Sequence, residues 1–384
     1  MPKVIRFAGL LLAAGLVCGT AAADEKKPNT LTPKEAAEGW LMLFDGKTTF
    51  GWTVKDAPSA PKSDLAVKDG VLVFKGTAST VCFKTRFRYF ELTGEYRTVT
   101  KGSTFGVKIT TDMFGQENGG ESYWDHLIPL AGCQWKAFSV YSVPNRFSIV
   151  SQDPAKPGVS GGGVGDGVLK VEFTLPESDA GRIELRNLKL RPLSMTPLLN
   201  GKDLSGWKVF QDPKRSKSKF EVTPAGELHL TNGPGDLQTE KKYADFVLQL
   251  ECKVNGKNLN SGIFFRCVQD QYQNGYEAQI DNGYKNNDRT KPTDHGTGAI
   301  YRRTNARKVV SNDNEWFTMT VVADGPHIST WVNGYQTTDW TDKRKPAENP
   351  RQGLRLAAGH ISIQGHDRTT DILFRNIRIA ELKK

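Results

Sequence analysis

Glu277, Gln279 and Asp281 alternate with Tyr276, Ala278 and Ile280. Residues two apart lie on one face of a β-strand, so this spacing sets two carboxylates and a carboxamide opposite three apolar side chains. His360, Ser362, Gln364 and His366 alternate in the same way with Ile361 and Ile363, and His327, Ser329, Trp331 and Asn333 with Ile328, Thr330 and Val332. In Ser261-Gly262-Ile263-Phe264-Phe265-Arg266, strict alternation puts Arg266 on the face of Gly262 and Phe264. One such row alone reads as a solvated sheet face. Solvated faces usually carry Thr and Lys, however, whereas carboxylates, imidazoles, carboxamides and Trp together suit a face that grips a polar ligand. Carboxamides and a guanidinium can bond sugar hydroxyls, and an indole can stack on a sugar ring. Carboxylates beside a His can also move protons. Glu277 and Asp281 are four positions apart, about 13 Å between Cα atoms of a strand. Their side chains could converge on one ligand, but the spacing does not by itself establish a paired-carboxylate glycosidase.

The elements that must hold these rows are strands. Phe246 to Val254, Gly262 to Val268, Tyr276 to Asp281, Phe317 to Ala323, His327 to Asn333, His360 to Gln364 and Asp371 to Ala380 are alternating segments bounded by Gly, Asn, Asp and Pro. No helical period persists, apart from Thr32-Pro33-Lys34-Glu35, a capping box with Pro at the first helical position, which starts a helix of one or two turns that Gly39 ends. The chain also repeats itself. Leu43-Phe44-Asp45-Gly46-Lys47 leading to Gly51-Trp52 matches Leu199-Asn200-Gly201-Lys202-Asp203 leading to Gly206-Trp207, and Leu185-Arg186-Asn187-Leu188 matches Phe374-Arg375-Asn376-Ile377. Trp52 and Trp207 are 155 residues apart but Asn187 and Asn376 are 189 apart, so the second copy carries 34 extra residues. The expectation is an all-β chain of two jelly-roll sandwich domains in tandem, 40–193 and 194–384, after a linker at 24–39.

Composition bounds the function. Lys+Arg 52 against Asp+Glu 42 gives a net charge of +10, spread without a run, which disfavours nucleic acid as a partner. Lys3 and Arg6, the apolar stretch Phe7 to Val17 and Ala21-Ala22-Ala23 read as a signal peptide cleaved after Ala23, hence a periplasmic or extracellular protein with no membrane span. Val17 before Cys18 is too bulky for a lipoprotein anchor. Cys82, Cys133, Cys252 and Cys267 show no CxxC spacing, which argues against zinc. A simple hairpin over Asn255 to Ser261 would pair position 252 near 264 and turn Cys267 to the opposite face, leaving buried free thiols.

The second copy resembles the 3-keto-disaccharide hydrolase family, placed among concanavalin-A-like jelly rolls. The resemblance rests on Leu199 to Trp207, Asn260-Ser261-Gly262-Ile263-Phe264-Phe265-Arg266, Gly275-Tyr276-Glu277-Ala278-Gln279-Ile280-Asp281, Gly298-Ala299-Ile300-Tyr301, Trp331-Val332-Asn333-Gly334, Ile363-Gln364-Gly365-His366 and Phe374 to Ile377, in family order over residues 197–382. Asn314-Glu315-Trp316-Phe317 departs from the family's Gly-Glu-Trp-Asn but keeps the Trp. The first copy matches only the family's edges and reads as degenerate. Its odd features are Asp125-His126 and Gly161-Gly162-Gly163, the latter a flexible loop without the Lys-Ser/Thr of a phosphate loop. The resemblance implies a substrate already oxidised at C3 by a separate sugar 3-dehydrogenase. The 3-ketone acidifies the C2 proton, a base removes it, the C1–O bond breaks by β-elimination, and hydration completes a net hydrolysis. It further implies Glu277 or Asp281 as base, His366 as acid or ligand, and Arg266 or a divalent metal ion at the enolate. Gln279, Gln364, Trp331, Asn333 and Tyr301 would be substrate contacts. The rival expectations are a non-catalytic sugar-binding module and a surface interaction protein.

Overall fold

The computed structural model describes residues 27–382, apart from 59, 100–105, 113–121, 125–133, 145, 152–158, 163–167, 176–180 and 269–270. The leader, Asp125-His126 and Cys133 therefore lie outside the described residues. Thr32 accepts from the Glu35 N–H while Glu35 bonds back to Thr32, and this box starts the helix Pro33–Ala37. Glu38 caps it and Gly39 turns away at φ +86°. Everything else regular is strand.

Residues 41–192 form one eight-stranded and one five-stranded antiparallel sheet, and residues 196–381 form a second such pair with the same strand order. In each pair, alternate residues of both sheets meet in one apolar cluster. The architecture is an all-β sandwich made twice. The repeated sequence segments are repeated bonds. Trp52 Nε1 donates to Leu43 O and Trp207 Nε1 to Leu198 O, both at 2.7 Å. Asp45 Oδ1 accepts from the N–H of Lys47 and Thr48, as Asn200 Oδ1 does from Lys202 and Asp203. Each Arg-Asn pair sits at a strand irregularity: Asn187 (φ +54°) and Arg186 hold Glu95, and Asn376 (φ +51°) and Arg375 hold Glu251.

Two expectations fail here. The strand Phe246–Val254 pairs with Trp316–Asp324 and Asp371–Glu381 in the larger sheet, while Ser261–Cys267 belongs to the smaller one, so no hairpin joins them. The loop between them crosses the sandwich instead. Cys82, Cys252 and Cys267 are nevertheless buried and free, with burial pushing each thiol up. Gly161 and Gly162 are not loop residues but part of the edge strand Val159–Gly162, paired with Phe147 and Arg146.

The halves are joined through the second copy's larger sheet. Trp331 has no exposure and belongs to the first half's cluster, 6.4 Å from the Phe83 ring and 6.2 Å from that of Phe87. Its Nε1 donates to Met42 O at 3.1 Å. Around it Arg86 pairs bidentately with Asp324, Lys84 with Asp339 and Thr85 with Ser329. Arg307 reaches Asp45 and lies over the Phe50 ring at 3.9 Å. Among the described residues no helix is long and apolar enough to cross a membrane.

Candidate active site

The smaller sheet of the second half is built from Trp207–Val209, Gly235–Thr239, His360–Gly365, Ser261–Cys267 and Tyr276–Ile280, in that spatial order. Leu237, Ile361, Ile363, Ile263, Phe265, Tyr276, Ala278 and Ile280 face the core. Register fixes the other face. Gln238 lies opposite Ser362, Ser362 opposite Phe264, and Phe264 opposite Glu277. In the neighbouring row, Asp236 lies opposite Gln364, and Gly262 opposite Gln279. Directly opposed side chains on one face are in mutual reach, so this is a polar grid two residues deep and four strands wide.

It is a buried grid. Asp236, Gln238, Gln279, Glu277 and Gln364 are each under 9% exposed. Segment 297–301 runs along the outer edge, its bonds being Gln279 N to Ala299 O, Thr297 N to Asp281 O and Tyr301 N to Glu277 O. Gln238 Nε2, Gln279 Oε1, Gln364 Oε1 and Asn274 Oδ1 have no hydrogen-bond partner among the described residues. A buried polar atom left bare costs about 1–3 kcal/mol, and four carboxamide atoms bare around one face are satisfied together by a hydroxyl-rich ligand or by water.

Glu277 is the chemically unusual group. No hydrogen bond reaches its carboxyl among the described residues, and burial pushes its pKa up to about 8, against the pull of Arg351 and with the push of Asp294 and Asp236. Burial likewise lifts Asp236 to about 6, although Gln273 N donates to its Oδ2. Gly262 makes room for the acid: a Cβ there would stand 2.6 Å from Glu277 Oε1. Glu277 lines a small pocket with Tyr301, Arg302, Arg303 and Arg351, and Arg351 also lines an adjoining cavity of about 600 Å3 that holds Gln364 and His366.

The structure thus brings Glu277, Gln279, Gln364 and Tyr301 together, with His366 at the margin, paired to Asp367 at 2.9 Å. Four expected residues are elsewhere. Arg266 adopts φ +51° at a register shift between Phe264 and Cys267, which breaks the alternation and turns it away from Glu277. Its guanidinium is fully buried, bonded to Ala244 O, Arg355 O and Asp245. Trp331 lies in the other sheet, fully buried under the first half, with no face open to the cleft. Asn333 closes the turn before Tyr335–Thr341, accepting from Thr318 N and donating to Val310 O. Asp281 is spent on its own loop, accepting from Gly283 N and Thr293 Oγ1 at 2.8 Å each. Asp236 and Gln238 were missed, though Gly235-Asp236-Leu237-Gln238-Thr239 carries the alternation that could have found them. Arg351 stands in a loop, where no period marks it.

Among the described residues no three His, Cys, Asp or Glu side chains cluster to hold a metal ion. In the first half, Thr80, Cys82, Glu172 and Thr174 occupy the matching register, with Cys82 Sγ donating to Glu172 Oε1.

Residues 39–126 and 194–380 match the family of 3-keto-alpha-glucoside-1,2-lyase-like domains. A crystal structure from Parabacteroides distasonis described as a "putative glycosyl hydrolase" is 26% identical, covering 49% of this chain and 100% of its own, with a TM-score of 0.39. A second from the same organism, described alike, is 22% identical over 49% and 94%, TM-score 0.40. The carbohydrate binding module CBM66 from Bacillus subtilis is 15% identical over 45% and 93%, TM-score 0.32. No curated protein matches the chain.

Proposed function

The chain belongs to the family of 3-keto-alpha-glucoside-1,2-lyase-like domains, and from that premise we propose that it cleaves 3-keto-glycosides by elimination, with Glu277 as the base. Membership makes it a carbohydrate-active protein; the 3-keto substrate and the base are our reading. The observation that carries it is a buried, unbonded carboxyl lifted to about 8, set among guanidinium groups on a polar face. A plain sugar-binding site needs hydroxyl partners but no such acid. Lifting a carboxyl by burial also makes its anion a stronger base.

Glu277 carboxylate takes the C2 proton, and the electron pair forms the C2–C3 enolate. Its charge falls on the C3 oxygen, where Arg351, the first cation acting on Glu277, is the stabiliser in place of Arg266. The C3 carbonyl then re-forms, C1–C2 becomes a double bond, and the C1–O bond breaks. The leaving oxygen gains a proton at the His366 margin. Water adds at C1 while a proton returns to C2, which completes the hydrolysis. Gln238, Gln279 and Gln364 hold hydroxyls.

Turnover of a 3-keto-glucoside in deuterium oxide should place deuterium at C2 of the product, because the abstracted proton exchanges on the enzyme. Direct displacement at C1 leaves C2 untouched, so product without C2 label removes the elimination reading. Ordinary glucosides should be inert, their C2 protons being too weakly acidic for a carboxylate. Gly262→Ala should lower kcat by about tenfold or more, since the methyl displaces the Glu277 carboxylate and misplacement near 1 Å is costly. Steady-state kinetics beside a melting curve separates this from unfolding.

A further inference from the structure

We propose that the cavity adjoining Glu277 is a leaving-group subsite that selects aglycones bearing an acidic group. The inference rests on the reading of Glu277 as base, which makes this cavity the side on which the departing oxygen lies. Arg215, Tyr272, Asn274, Arg351, Gln364 and His366 are among its walls, and among the described residues no carboxylate is. Its volume of about 600 Å3 is that of a small-molecule site.

Two guanidinium groups face it without a salt bridge. The Arg215 guanidinium lies 4.6 Å above the Tyr272 ring and makes no hydrogen bond among the described residues. Arg351 gives Nε to Gln273 O at 3.0 Å and forms no ion pair there either. By contrast, Arg266 is paired with Asp245, Arg344 with Asp342 and Arg375 with Glu251. Asp236, buried and bonded to Gln273 N, and Glu277 both act on Arg351, which leaves Arg215 as the guanidinium with no carboxylate paired to it among the described residues. Asn274 and Gln364, 8% and 5% exposed, each bring a bare carboxamide oxygen to the same walls. Tyr272 packs tilted against Phe210, ring centroids 5.9 Å apart, and holds the Arg215 guanidinium over its ring. A carboxylate or a phosphate meets the cationic side of these walls through Arg215 and Arg351, while the bare carboxamide oxygens, which only accept, take hydroxyl donors from the rest of the aglycone.

The test is calorimetric binding of phenyl β-glucoside and of its para-carboxylate and para-phosphate derivatives, none of which carries the ketone and none of which turns over. The acids should bind about five- to tenfold more tightly at low salt, the range expected of one charge pair near the surface. The advantage should shrink at high salt. It should vanish in Arg215→Gln, return in Arg215→Lys, and leave affinity for the neutral glycoside unchanged. A gain confined to one acid supports the subsite and names that acid. Equal binding of all three, or a gain that survives Arg215→Gln, overturns it. Neutral 3-keto-glucosides assayed in parallel keep the two readings apart. Turnover without acid preference removes the subsite alone, and acid preference without turnover removes the elimination alone.

Discussion

Glu277→Gln should lower kcat toward a 3-keto-glucoside by about two to four orders of magnitude, with a small change in KM. The same variant should be the more stable protein at alkaline pH. The folded carboxyl titrates near 8 and the unfolded reference is 4.5, so between these values the folded chain keeps a proton that the unfolded chain has released. Stability then declines as pH rises through that window and levels off above about 8. Glutamine keeps the shape and removes the charge. The variant should therefore match its parent near pH 4 and melt several degrees higher at pH 9. The rate should show the complementary limb: kcat/KM of the parent rises as Glu277 loses its proton toward pH 8. A variant that is inactive yet no more stable at pH 9 would separate catalysis from the buried charge and count against this assignment.

Trp331→Ala should destabilise the whole chain by about 3–5 kcal/mol, the usual range for emptying an aromatic site in a core. The indole is fully buried between Phe83 and Phe87, and its loss also strands Met42 O. Urea melts followed by intrinsic fluorescence check the size of the loss. Trp331→Phe should recover much of the stability while leaving glycoside affinity untouched. An indole that stacks on sugar would behave otherwise, losing affinity in the Phe variant with little change in melting.

Strand existence was legible because alternation is local. Phe246–Val254 is found at its expected bounds, and Tyr276, Ala278 and Ile280 face the core as their spacing requires. The capping box was legible for the same reason. What failed depended on which sheet a strand joins. The rows of Glu277 and of Trp331 look alike in sequence, but one faces a cleft and the other is buried under a second sandwich. Alternation cannot tell a ligand-facing row from an interface row, since both carry mixed polar and aromatic residues. Arg266 failed for a subtler reason: a single left-handed residue flips the parity of everything after it, and nothing in Phe264-Phe265-Arg266 announces it. Glu277, Gln279 and Gln364 were found together because they lie in regular stretches of adjacent strands.

The first half has lost the grid but keeps the contact made by Lys84, Thr85, Arg86 and Phe87 on the second half's larger sheet. Its tolerance to substitution is thereby divided along a line that activity does not draw. Changes at Thr80 or Thr174, on the face that once corresponded to the site, meet no partner in the other half, whereas changes a few residues on, at Arg86 or Phe87, strip a buried Asp324 or expose Trp331. The first half's contribution to the second therefore passes through its back, where a substitution acts on stability at a distance from the grid.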